Sequence, residues 1–154
     1  MRMIIGVRSK RKIPKWMIIL SFLGVIAVLV WGGILFSAPG RREVQRLTIN
    51  VIDFDKLRDG IYVGEYIGTK DHSRDTKVQA SISMGSISGI KILKGAIDKN
   101  GEPLKLKGGI SIGDLFRHVI ESQSLQVDVI SGATLTSKAH LKALENALVQ
   151  AKTK

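Results

Sequence analysis

Lys77 to Leu93 reads KVQASISMGSISGIKIL. Val78, Ala80, Ile82 and Met84 alternate with Lys77, Gln79, Ser81 and Ser83. A period of two over this length predicts a strand with one buried and one wetted face. Gly85-Ser86 supplies a tight turn, and Ile87, Ile90, Ile92 and Leu93 return as a second strand with a bulge at Gly89. The stretch is therefore an antiparallel hairpin, and the rest of the fold is read outward from it.

Upstream, Asp59-Gly60 is a turn signal that opens a strand over 61–67, with Tyr62 and Tyr66 on one face. Thr69 to Thr76 is polar and reads as a loop. Downstream, Ile97 to Gly109 carries an Asn100-Gly101 turn and Pro103 and is irregular. Asp114 is placed to cap a helix running to about Ser122, with Leu115, Phe116, Val119 and Ile120 on one face. Leu125 to Ile130 alternates as a short strand. A last helix is expected from Ser137 to about Ala151, with Thr136 or Ser137 as N-cap and Leu141, Leu144, Leu148 and Ala151 on one stripe. Strands followed by helices indicate an α+β domain, an antiparallel sheet with helices packed on one face.

The N-terminal third has a different character. Trp16 to Phe36 reads WMIILSFLGVIAVLVWGGILF, 21 residues without a charge. As a helix it would span about 30 Å, the thickness of a bilayer core. Trp16 and Trp31 lie near its ends, at headgroup level. Arg2, Arg8, Lys10, Arg11, Lys12 and Lys15 precede it, and Arg41, Arg42 and Arg46 follow. The larger basic cluster stays in the cytoplasm, which places the C-terminal part outside. The apolar run is too long for a signal peptide, whose core is about 7–15 residues, and Phe36 stands where a small residue is wanted. The expected organisation is a basic cytoplasmic segment (1–15), an uncleaved transmembrane signal anchor (16–36), a juxtamembrane linker broken from the helix by Ala38-Pro39-Gly40 (37–56), and an extracytoplasmic domain (57–154).

This layout explains the charge. The chain has 24 basic and 13 acidic residues, a net +11. Six of the basic residues orient the span, and those beyond residue 36 are interspersed with acids, so the charge does not argue for nucleic acid. Absence of cysteine excludes disulfides, thiolate zinc sites and Cys-ligated iron–sulfur clusters. His72, His118 and His140 are scattered, which speaks against a histidine metal site.

Asp128 to Ser137, DVISGATLTS, carries the chemistry. Gly132 permits a positive φ and close approach of the backbone to a ligand. Ser131, Thr134, Thr136 and Ser137 gather hydroxyls at a helix start, whose amides and dipole favour a phosphate. By spacing alone an ordinary capped loop accounts for the same pattern. Tyr62, Tyr66 and Phe116 are read as core packing.

The run Asp128, Val129, Ile130, Ser131, Gly132, Ala133, Thr134 resembles the flavinylation motif of the FMN-binding domain family. That family includes the covalent-FMN subunits of the sodium-pumping NADH:quinone oxidoreductase and of the Rnf complex. DGIYVGEY at 59–66 is similar to its opening strand, Lys77 to Leu93 to its hairpin, and ESQSLQVDVISGATLTS at 121–137 to its signature region. The resemblance implies FMN esterified through its phosphate to Thr134, with Asp128, Ser131, Gly132, Ala133 and Thr136 around it. It also implies a separate Mg-dependent flavin transferase that uses FAD and releases AMP. A Thr hydroxyl is a weak nucleophile at neutral pH, and no histidine or second carboxylate adjoins Thr134 in sequence, so the activation must come from elsewhere. Asp128 is expected to orient the loop or to meet the transferase's metal.

The expectation is a membrane-anchored extracytoplasmic electron carrier, exchanging electrons with redox proteins or quinone-linked donors in the membrane. The alternatives are a subunit of a Rnf-like membrane redox complex and a flavin-free interaction module. No cluster of acid, base and nucleophile stands out, so substrate chemistry of its own is not expected.

Overall fold

The computed structural model describes residues 15–54 and 57–152, apart from the side chains at 15, 18 and 33–39. Most of the basic segment assigned to 1–15 lies outside the described residues. Two compact units are present, Met1–Ser37 and Ala38–Lys154.

Helix α1 spans Lys15–Gln45. In the first unit its described side chains, from Trp16 and Met17 through Phe22 and Leu29 to Trp31, are exposed. No helix among the described residues is long and apolar enough to cross a membrane.

The helix does not break at Ala38-Pro39-Gly40 as the sequence reading expects. Proline removes one helical hydrogen bond, but the last turns are held from outside the helix. Val44 is buried in the core of the second unit. The Glu43 carboxylate accepts from the Tyr66 hydroxyl at 3.3 Å and from the amides of Thr69 and Lys70 at 2.9 and 3.0 Å. The Thr69 amide above all holds the Glu43 carboxyl below its usual range. The expected linker is likewise part of the packed unit. Ile52 and Phe54 belong to the core, while Lys138 donates to the Gln45 carbonyl at 2.9 Å and Asn50 to the Glu145 carboxylate at 2.7 Å.

The sheet has three antiparallel strands in the order β1 (Gly60–Tyr66), β2 (Thr76–Ser83), β3 (Ser86–Lys94). Val78, Ala80 and Ile82 face inward and are buried, as the alternation requires. Met84 does not continue that face. It is 90% exposed, with φ 51°, and forms the turn together with Gly85. Asp59 fixes this turn by accepting both amides, at 3.0 and 2.8 Å. The register shifts between Ser81 and Ile82, whose partners are Gly89 and Ile87, so the bulge falls next to Gly89.

Two further helices complete the unit, α2 (Ile112–Ser122) and α3 (Thr134–Ala151). Asp114 is not the cap of α2. Ser111 is the N-cap, and Asp114, three residues on, closes a capping box with it. Leu115, Phe116 and Val119 are buried and Ile120 is half-buried. Helix α3 packs on β1 and β2, and α2 on β3. Both outer edges of the sheet are covered by amide side chains. Gln150 and Asn146 donate to the carbonyls of Val63 and Glu65 at 2.8 and 2.9 Å. Gln123 accepts the Ile87 amide at 2.9 Å and donates to its carbonyl at 3.0 Å.

Candidate functional site

Between α2 and α3 the chain forms no strand over Leu125 to Ile130; it runs as an irregular connection. The reason lies in its hydrogen bonding. The Ile130 amide donates to the Ser137 hydroxyl at 3.2 Å rather than to a neighbouring strand, and the Ala133 amide turns back to the Ile130 carbonyl at 2.9 Å. Ser137 in turn donates to the Ala133 carbonyl at 3.1 Å. Fully buried inside α3, it ties the loop to the helix and is not the N-cap.

Helix α3 begins three residues earlier than expected, at Thr134. Ala133 is its N-cap, with no side-chain cap bond. Among the described residues nothing bonds the amides of Thr134, Leu135 and Thr136, the free donors of the first turn. Gly132, at φ 76°, makes the turn that brings the chain into the helix. Ser131, Gly132 and Thr134 are exposed and Ala133 half-buried. The Thr134 hydroxyl makes no hydrogen bond among the described residues, so it stands free at the uncapped start of an 18-residue helix.

Not all the expected residues converge there. Asp128 and Ser131 line a cleft of about 690 Å³ between the connection and α2, within the size range of small-molecule sites. Its apolar surface comes from Ile110, Val127 and Val129, and its polar rim from His118 and Glu121, which are 3.6 Å apart. Asp128 is exposed and forms no hydrogen bond among the described residues. Thr136 lines a different cleft, of about 400 Å³, with Arg74, Lys94 and His140. That cleft is charge-balanced, because Arg74 pairs with Asp71 at 3.4 Å and Lys94 with Asp75 at 3.6 Å.

His140 is 2% exposed. One ring nitrogen faces the Thr136 carbonyl at 2.8 Å and the other accepts the Ala96 amide at 3.3 Å. Burial pushes its pKa down from 6.5, with the Thr136 bond opposing, so it is a neutral structural group and not a base for Thr134. Phe116 and Tyr66 are buried in the core, and none of the three aromatics considered from the sequence lines the larger cleft.

The sequence reading missed Lys107. It sits in a short 3-10 turn, Lys107–Gly109, in which both glycines have positive φ. A Cβ built on Gly132 would fall on Lys107 Cδ, with Cγ 3.3 Å away. The lysine stem therefore lies across the motif's turn, and its ammonium has no ion pair among the described residues. In sequence Lys107 falls within the irregular stretch from Ile97 to Gly109, and nothing there says that it packs on Gly132.

A free hydroxyl, unpaired amides, a nearby cation and an adjoining cleft can accept and hold a phosphate ester. No histidine or carboxylate bonds Thr134 among the described residues. The model of the FMN-binding domain family matches residues 71–149, just over half of the chain and most of the second unit. No curated protein and no solved structure matches the chain.

Proposed function

The chain belongs to the FMN-binding domain family, and on that premise we propose that it is a membrane-anchored extracytoplasmic electron carrier whose FMN is joined through its phosphate to Thr134. The observation that carries this reading is the Thr134 hydroxyl, exposed and unbonded at the uncapped start of α3, within the segment the family match covers.

The residues present fit the cofactor. Amides at the start of α3 face a developing phosphate charge, and the apolar walls of the 690 Å³ cleft offer contact for a flat ring. In the attachment step the Thr134 oxygen forms a bond to the FMN-side phosphorus of FAD. The pyrophosphate bond breaks, AMP leaves with the bonding electrons, and the hydroxyl proton is lost. A Mg-dependent flavin transferase supplies the activation that the domain lacks. Asp128, exposed beside the motif and free of internal bonds, is available to that enzyme's metal. Once attached, FMN supplies electron acceptance and release, while the protein holds and shields it.

The anchor rests on the sequence of 16–36, uncharged for 21 residues, and on the helix and exposed apolar side chains found there. The basic cluster before it argues for a cytoplasmic N-terminus.

Co-expression with a flavin transferase is expected to add the mass of FMN less one water, in a band that stays fluorescent after denaturation. Thr134→Ala is expected to lose that flavin and to unfold within about 0.5 kcal/mol of wild type, since the side chain is exposed. Flavin retained in the variant would move attachment to Ser131 or Thr136. No flavin on the wild type would leave an interaction module.

A further inference from the structure

Lys107 comes from the loop before α2, 27 positions from Thr134 in sequence, yet its stem lies across Gly132. Several other cations of the domain are engaged. Lys138 bonds the Gln45 carbonyl, Arg117 pairs with Asp114 at 3.0 Å, and Lys94 and Arg74 pair with Asp75 and Asp71. Lys107 has no such partner among the described residues. The bare Cα of Gly132 leaves room for that stem.

We propose that Lys107 is a positioning residue that neutralises the phosphodiester joining FMN to Thr134. This rests on the reading of Thr134 as the attachment site. The diester carries one negative charge, and the α3 amides supply only partial positive charge. A lysine is a mobile point charge suited to phosphate without demanding one geometry. It draws FAD's pyrophosphate toward Thr134 before the bond forms and holds the diester against the α3 terminus afterwards.

The test uses the full-length protein in detergent with purified transferase, Mg²⁺ and FAD. Wild type, Lys107→Gln, Lys107→Arg and Lys99→Gln are compared, the last removing an exposed charge from another turn. Two quantities are read: the initial rate of covalent flavin incorporation, and the gain in thermal midpoint of the purified loaded form over the unloaded form. At low salt, Lys107→Gln is expected to slow incorporation about two- to fivefold, the scale of an exposed charge pair, and to shrink the midpoint gain. Lys107→Arg should retain most of both, and Lys99→Gln should match wild type. The rate difference should fade at about 1 M salt, where screening acts within about 3 Å. Equal rates and equal gains for Lys107→Gln and wild type would overturn the inference, as would an equal loss in Lys99→Gln. A slower rate with an unchanged gain would assign Lys107 to docking the transferase instead. Wild type that takes no flavin would fail the Thr134 reading together with this one, whereas loaded wild type with an indifferent Lys107 would fail this one alone.

Discussion

His140 shows how one buried side chain links the motif's helix to the sheet. Its ring reaches the Thr136 carbonyl in the first turn of α3 and the Ala96 amide just past β3. The Ala96 bond needs an unprotonated nitrogen. In the unfolded chain the ring takes a proton below about 6.5, whereas burial lowers its pKa in the fold. Between those two pKa values the unfolded state binds more protons, so stability is full above about pH 6.5 and falls as the pH drops through that window. Urea unfolding from pH 7.5 to 5 should show the decline, and His140→Gln should flatten it. A variant with the same pH slope would assign the decline to other groups. At this scale the turn at Gly132 was legible in the sequence, because a local motif carries its own geometry. The sequence did not reveal Ser137 as the pin of the loop or Lys107 as its neighbour, because both roles depend on which distant backbone each side chain meets.

At the scale of elements, the strands were legible wherever period two was clean, and the errors fell at their ends. Met84 continues the apolar alternation but sits in the turn, where Asp59 accepts its amide and that of Gly85. The end of α1 and the segment after it were misjudged for the opposite reason. Pro39 and the polar residues that follow suggest a break, while the bonds that hold them are long-range, from Glu43, Lys138 and Glu145. Helix α3 supplies two of these residues, Lys138 and Glu145. Ten of its residues are buried, including Glu145, which is 3% exposed and bonded by Asn50 and Lys142. The sheet approaches the helix most closely at Gly64, where an added Cβ would fall on the Ala143 carbonyl oxygen and the Ala147 amide. Backbone cannot yield as a side-chain tip does. Gly64→Ala is therefore expected to lift α3 from β1 and to destabilise by about 1–3 kcal/mol, the scale of overpacking. Chemical denaturation checks this, and a change below about 0.5 kcal/mol would mean that the helix slides freely.

Across the whole molecule, the two units divide the work. In the proposed function the apolar helix before residue 38 would place the domain, while the packed unit after it presents Thr134 at its surface. On the proposed function, a hydroxyl at a helix start would fix FMN through its phosphate and leave the ring without a covalent constraint at its redox edge. A tether would raise the effective concentration of the flavin near membrane donors, so electrons could be exchanged without tight binding between proteins. Covalent attachment would also prevent loss of FMN where none is resupplied. Intact spheroplasts making the protein and its transferase are therefore expected to reduce a membrane-impermeant acceptor faster than spheroplasts making Thr134→Ala at equal level. Thr134→Ser, which keeps a hydroxyl at the same place, should restore the rate. Added protease should remove the difference by digesting an outward-facing domain. Equal rates for wild type and Thr134→Ala would sink the carrier reading. A difference that survives protease and appears only after lysis would place the flavin on the cytoplasmic side, and the orientation drawn from the basic N-terminus would be reversed.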